Sequence, residues 1–383
     1  MTTFKNPPIY LCIGDKEVYH YFYILTFNYT YICVGKHMKK PKWQTEFRDL
    51  PKIPDTKKWL KGEHETIEQK ISKKLAVGMS ISDAEREIMQ GLVLFYGILY
   101  KSLQDLEFES FTQKDFKNFE NYIFYAFNYF PVLANKLTIY QLYRVVINEH
   151  LIGNKESLTK KGLLSYPPLH IVRKINKYNR ANTPKTNVFY GAETIDTALN
   201  EIKPQIGDKV TVGVWKPIVE REYNSYPISH SEKGFGVNEN STNAIRAFNE
   251  YKKTHDKVLT DHMEPYFHVL GYEYSKPIKH HYEYLISAMF SEKILDNPQN
   301  KGTSFDFECI IYPSVGNKFK TSNVAVRKDI LRHEFELTKV IEFEVTDCHY
   351  EKGQKTNPES INLVDYKDYR ITEKIEDNRI IWK

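Results

Sequence analysis

Cysteine is scarce in this chain: Cys12, Cys33, Cys309 and Cys348 stand far apart and form no C-x-x-C pair. That spacing argues against a disulfide frame or a zinc knuckle, and it predicts free thiols in a reducing, cytoplasmic setting. No basic segment followed by an apolar run and a small-residue cleavage site opens the sequence, so a secretion signal is not expected. Long apolar runs are missing too. The most apolar early stretch, Tyr19 to Val34, is interrupted by Asn28 and is too short and polar to span a bilayer. It reads as aromatic strands or a buried hairpin, and no membrane partner is expected. Charge of one sign is also lacking in excess, since 54 basic and 49 acidic residues leave a formal net charge of +5. So small a surplus gives nucleic-acid binding no support. The run Lys39-Lys40-Pro41-Lys42 reads as solvated surface.

Several familiar chemistries have no signature here. There is no P-loop, no G-x-S-x-G elbow and no H-E-x-x-H helix. Gly234-Phe235-Gly236 lacks the third glycine and does not follow a strand, so it is no dinucleotide fingerprint. His262, His268, His280 and His281 lie near Asp261 and Glu264, but their spacing fits no common zinc pattern, and no metal is assigned to the site.

What the chain does have is aromatic residues, 28 Tyr and 22 Phe among 383. They predict an aromatic core with many phenol hydroxyls that need partners. The length exceeds what one core usually supports, so two domains are expected. Residues 1 to about 60 mix aromatic runs with Pro7-Pro8, Pro41, Pro51 and Pro54, which break helices. From Ile81 a helix is signalled, with Ser82 as cap, Glu85 at the capping-box position and Ile88, Leu92, Phe95 and Leu99 on one stripe. Thr112 and Asp115 can start a second, carrying Phe116, Phe119, Ile123 and Phe127, which Pro131 ends. Residues 1–135 therefore read as a mainly helical module whose stripes are core.

The texture then changes. Short β-branched or aromatic runs predict strands at Ile139 to Ile147, Asn187 to Tyr190, Val210 to Trp215, Glu308 to Tyr312, Asn323 to Arg327 and Leu337 to Val345. Helical patterns fall at Ile195 to Ile202, Ala244 to Tyr251 and Tyr284 to Leu295, and a long polar loop is expected from Tyr223 to Ser241. This irregular interspersion predicts an α+β domain over 136–383, not a regular parallel array.

Within that domain four segments form an ordered set: YRVVIN at 143–148, SYPP at 165–168, NRANTPKTNVFYGAETIDTALNE at 179–201 and IIYPSVGNKFKTSNVA at 310–325. An Arg on a first strand, an R-x-N turn, a strand ending in Tyr, a helical Glu eleven residues later and a late Tyr-Pro-Ser followed by Asn together resemble the RES family. The resemblance spans most of residues 140–327 and implies an ADP-ribosyltransferase-like fold with NAD+ as substrate and no further cofactor. It also implies a toxin or defence effector of the toxin-antitoxin kind, so an antitoxin or regulatory protein is an expected partner, and self-association is a further expectation. Position by position it assigns Arg144, Glu201 and Ser314 to catalysis, and Tyr190, Arg180 and Asn323 to substrate binding.

The chemistry fits those residue types. Cleaving the nicotinamide–ribose bond creates an oxocarbenium-like centre, which a carboxylate at Glu201 would stabilise while ordering a ribose hydroxyl. Arg144, and after it Arg180, would grip the pyrophosphate through the planar guanidinium fork. Tyr190 offers a flat face to the cationic nicotinamide. Ser314 presents a hydroxyl, and Asn323 can order the loop around it. Without the resemblance, Glu201 is a solvated helix residue off the stripe of Ile195, Leu199 and Ile202, and Tyr190 and Ser314 are a strand aromatic and a turn serine. Arg144 alone stands out, because a charge in an apolar strand is uncommon without a partner or ligand. Two alternatives are carried: a HEPN-like ribonuclease using Arg144 and His150, against which Val145, Val146 and Ile147 favour a strand, and an ADP-ribosyltransferase with a macromolecular acceptor.

Overall fold

The computed structural model describes residues 134–383 apart from 230–237, 255–256, 297, 299–300, 304–305 and 351–357, together with scattered positions between 76 and 120. The helix expected from Ile81 lies almost wholly outside the described residues. Of the second, residues 113–114, 116–117 and 119–120 are described and helical.

The described chain is mixed α+β, built on a ten-stranded mixed sheet. In chain order the strands are β1 (Asn135–Thr138), β2 (Leu142–Ile147), β3 (Val188–Ala192), β4 (Lys209–Pro217), β5 (Glu222–Pro227), β6 (Cys309–Pro313), β7 (Ser322–Arg327), β8 (Phe335–Cys348), β9 (Val364–Glu376) and β10 (Arg379–Trp382). Across the sheet they run β1-β5-β6-β7-β3-β2-β4-β8-β9-β10. Among the described residues only β5 and β6 pair in parallel. The helices are α1 (Asn148–Ile152), α2 (Leu169–Ile175), α3 (Ile195–Ile202), α4 (Glu239–Thr254), α5 (Lys257–Ser275), α6 (Leu285–Leu295) and α7 (Lys328–Glu334).

Through the middle strands both faces of the sheet are buried. One core gathers Leu142, Phe189, Trp215, Ile311, Val324, Val326 and Val340 with Ile330 and Leu331 of α7. The other gathers Tyr143, Val145, Ala192, Val212, Ile341 and Phe343 with Ile195, Ala198 and Leu199 of α3. Strand alternation explains the division, since neighbours in sequence point to opposite faces.

The sheet has a seam. Strands β2 and β3 share a single paired position, Tyr143 with Ala192, whereas β2 pairs with β4 over six residues and β3 with β7 over five. Close approach at the seam depends on Gly191, where a β-carbon would stand 2.9 Å from both Leu142 Cβ and a Phe189 ring carbon. A ladder that short leaves the rest of the two strand edges, which carry Arg144 and Tyr190, without paired positions between them.

Three expectations need correction. The strand expected over Ile139 to Ile147 is broken at residues 139–141, so β1 pairs with β5 at the sheet edge while β2 runs centrally. The polar loop expected from Tyr223 to Ser241 begins as strand β5 and ends inside α4. Tyr223 and Ser225 are buried there, because β5 is paired on both sides, to β1 and β6. Ile202, placed on the buried stripe of its helix, is 44% exposed, since α3 ends there in a left-handed Lys203 followed by Pro204.

Candidate functional site

Helix α3 carries the central carboxylate, and its first turn is anchored. Thr194 caps the first turn by accepting a hydrogen bond from the Thr197 amide at 3.0 Å. Asp196, fully buried, accepts from the Asn362 amide at 3.0 Å. One further turn along, Glu201 leaves the buried face occupied by Ala198 and Leu199 and projects toward the loop after β6.

That loop, residues 314–321, is closed on itself: the Ser314 amide donates to the Thr321 carbonyl and the Phe319 amide to the Ser314 carbonyl, both at 2.8 Å. It is tied to α3 by the hydroxyl pair Thr197–Thr321 at 2.5 Å and by Asn317, whose side-chain amide donates to the Thr197 hydroxyl at 3.4 Å. Three donors then converge on Glu201 Oε1. They are the Ser314 hydroxyl, Asn323 Nδ2 at 2.9 Å and the Gly316 amide at 3.3 Å. Ser314 is fully buried and Asn323 nearly so, whereas Glu201 itself is exposed, so the buried donors fix a carboxylate that solvent can still reach. No partner is found for the second carboxylate oxygen among the described residues. The arrangement is a carboxylate held by one oxygen and presenting the other.

The Gly316 amide reaches Glu201 only because residue 316 lacks a side chain. A β-carbon there would stand 2.5 Å from the Asn200 carbonyl oxygen and 3.1 Å from the Glu201 nitrogen. Sequence reasoning missed this residue. Its signal was a glycine two positions after a matched serine.

Across the seam lies Arg144, the residue after the β2–β3 pair. Its Nε is buried without a hydrogen-bond partner, and no carboxylate among the described residues pairs with it. Burial pushes the guanidinium down to about 10, and the neighbouring Tyr190 phenol opposes that shift. It therefore stays cationic at neutral pH, with the Phe189 ring 5.8 Å away. A half-buried charge whose Nε finds no partner among the described residues favours an anion beside it.

Tyr190 is fixed by the R-x-N turn. Its hydroxyl donates to Asn182 Oδ1 at 2.9 Å and accepts from the Ala181 amide at 2.8 Å. Burial raises its pKa above the ordinary phenol range, so it stays neutral. Tyr312, with its pKa raised mainly by burial, lies in the electrostatic range of Tyr190, Glu201 and Arg180, and packs 5.3 Å from the Tyr274 ring. Arg180 has a different environment. It donates to the carbonyls of Glu273, Tyr274 and Lys276 at the end of α5 and lies 5.1 Å over the Tyr284 ring. Much of its donor capacity is thus spent within the protein, where it joins α5 to the turn beneath Tyr190.

The structure therefore brings Arg144, Tyr190, Arg180, Ser314, Asn323 and Glu201 to one region. His150 is elsewhere: it is exposed on α1, whereas Arg144 is on a strand, so the pair does not share the helix that a HEPN motif needs.

The helical residues 116–117 and 119–120 touch the same neighbourhood. Phe116 stacks on Tyr282 at 3.7 Å, and Glu120 accepts from the Tyr178 hydroxyl at 2.8 Å, one residue before the Asn179–Asn182 turn. Among the described residues, no helix is long and apolar enough to cross a membrane. Compared with protein-family models, curated proteins and solved structures, the chain matches none.

Proposed function

We propose that this protein degrades NAD+ by cleaving the nicotinamide–ribose bond, through a RES-like, ADP-ribosyltransferase-like domain. The carrying observation is the single-oxygen grip on Glu201 by Ser314, Asn323 and Gly316, together with Arg144, whose Nε has no partner among the described residues. As the bond to nicotinamide breaks, positive charge grows on the ribose. The free oxygen of Glu201 opposes that charge, and because its partner oxygen is already bonded, the carboxylate needs little reorganisation. Arg144 takes a pyrophosphate oxygen, and that contact supplies the anion its buried guanidinium lacks. Tyr190, immobilised through its hydroxyl, presents its ring to the nicotinamide. Arg180 serves this reading by holding the turn that holds Tyr190, and Ser314 by positioning Glu201.

Nicotinamide leaves with the bonding electron pair, and the anomeric carbon takes a new bond from water or phosphate. The product is ADP-ribose or its phosphorylated form. In a cell, unrestrained turnover would exhaust NAD+ and arrest growth, which suits a toxin or defence effector held in check by a partner. The test is to incubate the purified chain with NAD+, with and without phosphate, and follow nicotinamide release by chromatography. Release by the native chain and its loss in Glu201→Gln support the reading, and unchanged NAD+ under both conditions overturns it. ADP-ribose attached to a protein or nucleic acid would instead identify a transferase.

A further inference from the structure

We infer that Asp347, His349 and Asp365, at the end of β8 and the start of β9, form a site for a divalent transition-metal ion, with Zn2+ the best-matched occupant. The site lies outside the proposed NAD+ machinery and does not depend on that reading.

It begins with a fault in strand pairing. Residues 342, 344, 345, 347 and 348 of β8 pair with 370, 367, 366, 365 and 364 of β9, so β8 spends an extra residue, Thr346, between its pairs at 345 and 347. Before that bulge Ile341, Phe343 and Val345 face the α3 core. After it Cys348, not Asp347, packs against that core. The bulge thus reverses the phase of the strand and turns Asp347 and His349 outward. It also sets Asp347 directly opposite Asp365; without the extra residue Asp347 would face Val364.

Two carboxylates opposed across a ladder repel, a pairing sheets avoid unless a cation lies between them. Here His349 stands beside both, with Nε2 3.1 Å from Asp365 Oδ2 and 3.8 Å from Asp347 Oδ2. One ligand atom from each residue lies within 4.8 Å of the others. For an ion bound at roughly 2.1 Å, those two separations correspond to ligand–metal–ligand angles of about 95° and about 130°, which bracket the tetrahedral value. One imidazole and two carboxylates suit Zn2+ better than Mg2+ or Ca2+, which prefer all-oxygen shells. Asp347 and Asp365 are exposed, so water completes the coordination. Cys348 is not a ligand, because its thiol faces the Pro204 carbonyl at 3.4 Å.

An ion here would clamp the base of the β8–β9 connection. That connection anchors α3, through the Pro358 carbonyl to the Ile195 amide and through Asn362 to Asp196. The expected consequence is thermal stabilisation of the sheet and of the helix that carries Glu201.

The experiment titrates Zn2+ alone into the chelator-stripped full chain at pH 8, by calorimetry and by thermal melting. Saturable binding and an upward Tm shift are expected, with affinity reduced at least about tenfold in His349→Gln and in Asp365→Asn. Both changes lie at the surface, and Asp365→Asn removes the repulsion, so its metal-free Tm should equal or exceed that of the native chain. Absence of saturable binding overturns the inference. So does binding that persists undiminished in both variants, which would place the ion on other histidines. A metal-free Asp365→Asn that melts lower, with no Zn2+ effect on the native chain, would show a plain histidine–carboxylate hydrogen-bonded cluster and equally overturn it.

Discussion

Replacing Gly316 with alanine isolates geometry from chemistry, since it removes no functional group. The added β-carbon would stand 2.5 Å from the Asn200 carbonyl oxygen and 2.7 Å from its carbon, where ordinary contact begins at 3.4 Å. The shortfall against the oxygen, 3.4 minus 2.5, is about 0.9 Å, and both atoms belong to backbone that no rotamer change relieves. Either the loop at 314–321 or the last turn of α3 must move by about that distance. Since Glu201 is on the helix and its three donors are on or beside the loop, their registry is lost either way. A misplacement of about 1 Å at a reacting group costs on the order of a hundredfold in rate. The expected result is a folded protein with native circular dichroism, a modestly lowered Tm and NAD+ turnover reduced by roughly two orders of magnitude. Gly162→Ala is the control. Its β-carbon meets only Asn378 Oδ1, at 3.6 Å, an ordinary contact away from the site, so it should leave turnover within about threefold. A Gly316→Ala variant with native turnover would refute the claim that this contact sets the position of Glu201.

Other expectations follow from the same geometry. Glu201→Gln keeps the size and the hydrogen-bonded oxygen but removes the charge, and NAD+ turnover should fall by roughly two or more orders of magnitude; near-native turnover would mean another carboxylate is responsible. Arg144→Lys keeps the charge but not the fork, and kcat/KM for NAD+ should fall by about 10- to 100-fold, mainly through KM, measured under initial-rate conditions. Glu342, 1% exposed, accepts from Asn148, Ser157, Thr211 and Arg370, so Glu342→Ala should cost about 3 kcal/mol in a denaturant titration, the lower end of the range for a broken buried pair because Arg370 still reaches water. Burial alone would raise the Glu342 pKa, but the bonds from Ser157, Asn148 and Arg370 outweigh it and hold the group below its ordinary value. Its contribution is therefore complete above roughly pH 4.3 and is lost as pH falls through the folded-state pKa, so the stabilities of native chain and variant should converge in acid.

By itself the sequence determined the elements whose burial leaves a period. Strands β3, β4, β6, β7 and β8 and helices α3 and α6 are apolar enough on the inward side to be recognised within a few residues. Helix α5 was hidden, because Pro265 and the neighbouring His262, Asp261 and Glu264 read as loop. Strands β9 and β10 were hidden as well, since β9 is charged and mostly exposed and owes its conformation to pairing with β8. β5 looked like a turn because Asn224, Ser225 and Pro227 are turn residues, yet two flanking strands satisfy its backbone. The ordered segments likewise named the polar residues that meet at the seam, but not their relations. Only tertiary structure decided that Ser314 and Asn323 bond to Glu201, that Arg180 is occupied by carbonyls of α5 while Arg144 Nε finds no partner among the described residues, and that a bulge turns Asp347 and His349 toward Asp365. The physical reason is the same in each case. Periodicity reports how much of a side chain is buried, whereas function depends on which groups from distant parts of the chain share a hydrogen bond or lack one, and that is decided only when the strands pair.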